Sequence, residues 1–194
     1  PLPDQIRCIT ALAYAEDGTL WLTNGSHHHR ASAWAHDLME KGSSGSLWQL
    51  IGESPNWRCL ADGLAYPYGL LPTSSSVIVS ESWAHRLLAI QLQAPEKRKI
   101  VLANLPGYPA RLSPTPDGGA WLSIFAPRNR LIEFVLREKA YREDMMRRIP
   151  RDYWIAPALA SADSFLEPLQ CGGIKVMGIH KPWSPSRSYG LVVR

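Results

Sequence analysis

The chain has few cysteines. Cys8, Cys59 and Cys171 lie far apart with no C-x-x-C pair, which excludes a zinc knuckle, a thioredoxin-like redox motif and a closed disulfide framework, and leaves them as small buried apolar side chains. No apolar run approaches the roughly 18 to 20 residues needed to cross a bilayer, and Pro1-Leu2-Pro3-Asp4 lacks a signal-peptide layout. Charge of one sign is also scarce. The net charge is +4, and outside Glu96-Lys97-Arg98-Lys99 and Arg147-Arg148 the basic residues are scattered, so a nucleic-acid footprint is not expected. No G-x-S-x-G elbow surrounds Ser80, Ser82 or Ser123, and Gly42-Ser43-Ser44-Gly45-Ser46 lacks the spaced Gly and Lys of a phosphate loop. That stretch reads as a flexible connection.

What remains is the balance of an ordinary globular protein: 45% hydrophobic and 20% charged residues over 194 positions, enough for one domain with a sizeable core. A phrase recurs along it, with turn residues, then a short β-rich run closed by a small hydroxyl residue, then a second strand. The runs are Asp17-Gly18-Thr19-Leu20-Trp21-Leu22-Thr23, then Ser76-Val77-Ile78-Val79-Ser80, then Asp117-Gly118-Gly119-Ala120-Trp121-Leu122-Ser123. Strand-like pieces precede them at Ile9–Tyr14, Tyr68–Leu71 and Ala110–Ser113, and second strands follow at Ser46–Ile51 and Arg86–Leu92. The copies lie roughly 40 to 60 residues apart, the spacing of antiparallel propeller blades. One such sheet cannot bury both faces alone and needs neighbours stacked around a common axis.

One stretch breaks the β pattern. From Arg128 to Ile149, Leu131, Phe134, Val135, Tyr141, Met145 and Ile149 recur at helical spacing among charges, so an amphipathic helix is expected over 128–150, entered through Pro127-Arg128-Asn129 and ended by Pro150. Residues 151–187, rich in Pro, Ser and Gly, read as an irregular insertion with a strand candidate at 174–177. His27-His28-His29 is read as a polar surface loop in preference to a metal site, because consecutive side chains diverge. His85 beside Glu81 is weighed as a general base and set below a structural role at a blade edge.

The stretch from Leu60 to Leu70, with Asp62-Gly63-Leu64-Ala65-Tyr66-Pro67-Tyr68-Gly69, and its continuation Val79-Ser80-Glu81 to Arg86-Leu87 resemble the "DGLAFPNGV", "VAET" and "RI" phrases of strictosidine synthase-like proteins in the gluconolactonase (senescence marker protein) superfamily. Leu105-Pro106-Gly107-Tyr108-Pro109 and Gly118-Gly119-Ala120-Trp121 are similar to that family's "DLPGFPDNI" and "GGFWVAL", and the loop Trp34–Glu40 also has a counterpart there. The resemblance implies an all-β fold, a partial six-bladed β-propeller with three to four blades visible and one inserted amphipathic helix. It implies a small-molecule site at the mouth of the central tunnel, and relatives that use calcium or another divalent ion.

Where the family carries metal-binding Asn and Asp, this chain has Thr10 and Ala11, Tyr68, and Ala110 and Arg111. These cannot form an oxygen cage, so no metal or cofactor is expected. Thr10, Tyr68 and Arg111 become the tunnel-facing candidates. Tyr68 and Arg111 either hold an anionic or aromatic ligand or stack on one another and plug the tunnel. No residue is assigned a catalytic role. A strictosidine synthase-like lyase, a lactonase or arylesterase-type hydrolase, and a non-catalytic binding propeller all stay open. Because the sequence starts without methionine and stops on Leu191-Val192-Val193, further blades of a longer chain, or self-association, are expected to complete a ring.

Overall fold

A computed structural model describes residues 2–52, 56–157, 175–176, 179–180 and 191–194. It contains two compact units, one of Pro1–Ile124 with Val192–Arg194 and one of Phe125–Leu191.

The first unit is built from antiparallel sheets in chain order. Strands β1 (Ile9–Tyr14), β2 (Leu20–Asn24), β3 (Gly45–Ile51) and β4 (Asn56–Leu64) form the first sheet, in the order β1-β2-β3-β4. Strands β5 (Pro67–Pro72), β6 (Ser76–Glu81), β7 (Arg86–Gln91) and β8 (Arg98–Leu102) form the second, in the order β5-β6-β7-β8. A third sheet pairs β9 (Gly107–Pro114), β10 (Ala120–Pro127) and the short C-terminal strand at Leu191–Val193 in the order β13-β10-β9, where β13 is that last strand. Consecutive strands pair with their neighbours, as hairpin connections require.

The sheets are blades of a propeller. Their first strands lie side by side, with β5 packed against both β1 and β9. Their faces stack through buried apolar side chains: Ala11, Trp21, Leu47, Leu60 and Leu64 of the first sheet meet Leu70, Val77, Val79, Leu88 and Ile90 of the second. Leu87 of the second sheet and the adjoining Leu105 pack with Leu122 and Ile124 of the third. Each such Leu, Ile or Val is worth about 1.5–3 kcal/mol over an exposed position. Leu12 and Tyr14, on the other face of the first sheet, are exposed.

The hydroxyl at the end of the second blade's second strand, Ser80, has a defined task, and hydroxyls elsewhere on the blades do related work. In the second blade the Gly69 N–H donates to Ser80 Oγ at 2.8 Å, and the same hydroxyl donates to the Ala110 carbonyl of the third blade at 2.6 Å. Ser82 repeats the stitch onto the Pro109 carbonyl at 2.6 Å. In the first blade Thr10 Oγ1 donates to the Pro67 carbonyl of the second blade at 2.6 Å and lies 3.0 Å from Thr23 Oγ1. In the third, the Arg111 N–H donates to Ser123 Oγ at 2.9 Å. The residue after the hydroxyl also repeats its role: Asn24 Oδ1 accepts from the Cys8 N–H at 2.8 Å, and Glu81 Oε1 accepts from the Ala65 N–H at 2.8 Å. Both tie down the segment that feeds a blade's first strand.

Two strands and a helix depart from the expected pattern. β4 and β8 are outer strands; every residue of β8 is exposed, so it carries no alternation to read. The Trp34–Glu40 loop is instead a short helix, α1 (Trp34–Glu40), which buries Ala35, Asp37, Leu38 and Met39.

In the second unit, the single helix expected over 128–150 is two: α2 (Arg130–Arg137) and α3 (Lys139–Arg148). Asn129 caps α2, its side chain accepting from the Leu131 N–H at 2.8 Å, which places the cap at the last residue of the Pro127–Asn129 entry segment. The break falls at Glu138, with φ −83° and ψ 85°. At the break the Arg142 guanidinium donates to the Leu136 carbonyl, one of the α2 carbonyls that lose their intrahelical partner. The strand candidate at 174–177 coincides with β11 (Lys175–Val176), paired antiparallel with β12 (Ile179–His180); the rest of the 151–187 insertion beyond residue 157 lies outside the described residues.

The convergence of first strands makes Gly69 irreplaceable. A Cβ there would sit 2.1 Å from the Ala110 carbonyl oxygen and 2.9 Å from Arg111 Cα. Gly69→Ala is expected to lower the unfolding free energy by about 1–3 kcal/mol or more, measured by urea denaturation; an unchanged midpoint would contradict the close approach of β5 and β9.

Candidate functional site

The tunnel-facing candidates all lie on first strands, Thr10 and Tyr68 second in β1 and β5, and Arg111 in the middle of β9. Thr10 is buried and committed to the Thr23 and Pro67 contacts described above. It is a structural stitch, with its one proton spent on a carbonyl. Tyr68 is half-buried and Arg111 exposed. The structure brings these two together: the Arg111 guanidinium carbon stands over the Tyr68 ring, 5.8 Å from its centroid, a cation–π distance. Ser80 sets their spacing, because its hydroxyl holds the amide of Gly69, beside Tyr68, and the carbonyl of Ala110, beside Arg111.

These residues do not fit a calcium ion. Hard cations want several free oxygen ligands, whereas Thr10 Oγ1 is engaged, the ring face of Tyr68 meets a guanidinium, and Arg111 repels a cation. Among the described residues no three His, Cys, Asp or Glu side chains converge in a way that could hold a metal.

Beside Tyr68 lies an aromatic layer that sequence reasoning missed. The Tyr66 and Trp83 rings stack with centroids 4.3 Å apart, Tyr66 is 6.2 Å from Tyr68, and Trp83 meets Tyr108 edge-on at 5.9 Å and Trp34 at 6.3 Å. Asp37 anchors it. This carboxylate is 1% exposed and accepts from Trp83 Nε1 at 2.7 Å. The segment after α1 is fitted to it: the Gly42 N–H donates to the Asp37 carbonyl at 2.8 Å, and a Gly42 Cβ would stand 2.4 Å from Asp37 Oδ1. Gly42 is therefore a packing requirement and not a flexible connection. The signal was an acid inside the apolar run Trp34-Ala35-His36-Asp37-Leu38-Met39.

Tyr66 is held in the left-handed region, φ 54°, where a bulky residue is an outlier. The surroundings over-determine it: its carbonyl accepts from the Ser82 N–H at 3.1 Å, its ring lies on Trp83, and its hydroxyl is 3.5 Å from Cys8 Sγ. Burial pushes the Tyr66 phenol well above its ordinary 10.0, reinforced by the Cys8 contact. Burial likewise raises the Cys8 thiol above 9.0, partly opposed by the Tyr66 hydroxyl.

The remaining sequence candidates are placed elsewhere. Glu81 and His85 do not act as a pair, because the buried Glu81 carboxylate is taken by the Ala65 amide and the Arg86 guanidinium. His85 Nδ1 faces the Gly107 carbonyl at 2.9 Å, which makes it the protonated nitrogen. The His27–His29 loop is tied down: the His28 and His29 amides donate to Ser26 Oγ at 3.1 Å each, and His29 Nε2 meets Glu40 of α1 at 2.7 Å. That carboxylate is a neighbour the linear spacing did not show.

Three comparisons bear on this arrangement. No family model matches the chain. The adipocyte plasma membrane-associated protein of Danio rerio is 25% identical over 125 residues, covering 62% of this chain and 30% of that protein. The Arabidopsis thaliana protein strictosidine synthase-like 13 is 26% identical over 111 residues, covering 56% and 28%. The chain is similar in sequence to both of these proteins. The alignment to the Bos taurus adipocyte plasma membrane-associated protein, 25% identical, extends to 177 residues, 81% of this chain and 42% of the relative. The chain thus spans less than half the length of the curated relatives it matches. Among solved structures, a luciferin-regenerating enzyme matches with a TM-score of 0.48 at 16% identity, covering 61% of this chain and 39% of that one. A virginiamycin B lyase from Staphylococcus aureus matches at 0.44 and 17%, covering 63% and 36%.

The raised Cys8 and Tyr66 values tie stability to alkaline pH. Below 9.0 folded and unfolded chains both keep the thiol proton; above it the unfolded chain releases the proton while the fold retains it, so stability falls as pH rises, and Tyr66 adds to the fall above 10.0. The slope reaches at most about 1.4 kcal/mol per pH unit for each group. Urea unfolding of the parent, Cys8→Ala and Tyr66→Phe between pH 8 and pH 11, the range these directions select, is expected to show a flatter decline in each variant. Equal slopes in all three would contradict the assignment.

Proposed function

We propose that this chain contributes blades to a six-bladed propeller of strictosidine synthase-like type that binds a small organic anion with aromatic character at its hub, without the divalent ion. The observation that carries the reading is the Arg111 guanidinium over the Tyr68 ring on the adjacent first strands β9 and β5. An aromatic carboxylate can intercalate there, exchanging the intramolecular cation–π contact for a charge-assisted hydrogen bond to Arg111 and a stacking contact with Tyr68. Similarity to strictosidine synthase-like 13 supports the type of propeller, and the replacement of hub carboxylates and amides by Thr10, Tyr68 and Arg111 supports the metal-free reading. The Trp83, Tyr66 and Tyr108 layer, fixed by Asp37, gives the hub a rigid aromatic floor that loses little entropy when a ligand docks.

Titration with benzoate, followed by calorimetry, tests this directly. Saturable binding is expected, weakened about tenfold or more by Arg111→Gln, the effect of removing a hydrogen bond to a charged group, and also weakened by Tyr68→Ala. Calcium is expected to leave the thermal melting temperature unchanged and to support no hydrolysis of phenyl acetate or gluconolactone. A calcium-dependent rise in melting temperature together with ester or lactone hydrolysis would replace this reading with a metal-dependent hydrolase.

A further inference from the structure

We propose that the α2–α3 hairpin of the second unit is a docking surface for a bilayer rich in anionic lipid. Within the hairpin, Arg130 to Arg148, six Lys and Arg stand against four Asp and Glu, an excess of two, and Arg128 and Arg151 flank it. The distribution of charge within the pair is uneven. On α3, Asp144 engages both Arg147 and Arg148 at 2.9 Å, and Lys139 faces Glu143 at 3.7 Å. Ahead of α2, Arg128 is paired with Glu133 of that helix at 2.8 Å, whereas Arg130 and Arg137 have no carboxylate partner among the described residues; Arg137 donates to the Glu133 main-chain carbonyl at 3.2 Å.

The geometry of α2 turns that excess into a surface. Ile132 and Val135 are buried, and Arg130, Phe134 and Arg137, at positions i, i+4 and i+7, share the opposite, exposed face. Phe134 is 48% exposed between the two unpaired guanidiniums, and Tyr141 on α3 is 50% exposed. An exposed phenylalanine flanked by arginines is poorly suited to water and well suited to an interface, where the ring enters the acyl boundary and the guanidiniums meet phosphates. An open cleft of about 450 Å³, lined by Arg128, Asn129, Arg130, Glu133 and Arg137, adjoins this face and has room for a lipid headgroup. A nucleic acid would also take the charge, but Phe134 has no base to stack on in a duplex, whereas a bilayer uses both the ring and the arginines.

Co-sedimentation with vesicles tests the proposal. The full chain is expected to bind vesicles of phosphatidylcholine mixed with phosphatidylserine, to leave vesicles of phosphatidylcholine alone unbound, and to be released at high salt. Each neutralised arginine is expected to weaken binding roughly fivefold, so Arg130→Gln with Arg137→Gln weakens it about 25-fold. The paired Lys substitutions keep binding, because a bilayer reads charge and not a bidentate fork. Phe134→Ser weakens it about tenfold. All of these positions are exposed, and an unchanged helical circular dichroism spectrum verifies folding. Equal binding to neutral vesicles, no binding by the folded protein, full binding by the glutamine pair, loss of binding by the lysine pair, or preference for duplex DNA over anionic vesicles would each overturn it.

Discussion

The approach of β5 to β9 at the centre of the first unit governs most of what surrounds it. Strands that converge on an axis bring main chains closer than side chains permit, and at Gly69 the gap admits no Cβ. Main chains that close also present amide and carbonyl groups that cannot all pair within their own sheets, and leaving such a group buried and unsatisfied costs on the order of 1–3 kcal/mol. Ser80, Ser82 and Thr10 resolve this with one short hydroxyl each, donating across the blade boundary to Ala110, Pro109 and Pro67 carbonyls. A hydroxyl suits the task because it accepts within its own blade and donates to the next. The side chains flanking these stitches inherit their positions, and Tyr68 and Arg111 face each other for that reason.

The aromatic layer follows the same logic one level out. Tyr66, the last residue before β5, accepts a left-handed backbone that a tyrosine ordinarily avoids, and Trp83, Cys8 and Ser82 hold it there. Asp37 then fixes Trp83 from a helix in a different blade. The result is a stacked surface whose members come from α1, the β4–β5 turn, the β6–β7 turn and β9. No contiguous stretch of sequence contains it.

That dispersal explains what was legible in the sequence. Blade recurrence was, because each second strand is a short apolar run with a turn before it and a hydroxyl after it, all local features. The purpose of the hydroxyl was not, because Ser80 and Ala110 are thirty residues apart in the chain. Thr10 was placed near the axis from resemblance alone, and its engagement with Pro67 makes it part of the frame. β8 escaped notice because an outer strand with every residue exposed has no inside to alternate against, and α1 because seven residues show barely two turns and no side-chain cap. The helix over 128–150 kept its periodicity across the break at Glu138; only the Arg142 contact to Leu136, a three-dimensional event, marks where it divides. Asp37 shows the general point: a buried acid is conspicuous by composition, yet its partner Trp83 lies forty-six residues away.

Native-state hydrogen exchange on Ser80→Ala tests the central claim most directly. If one hydroxyl joins two blades, removing it is expected to speed exchange at the amides of β5 and β9 together while the β2–β3 ladder keeps its protection. Faster exchange at the Gly69 amide alone, with β9 unchanged, would show that the blades are held by their apolar faces and that the stitch is incidental.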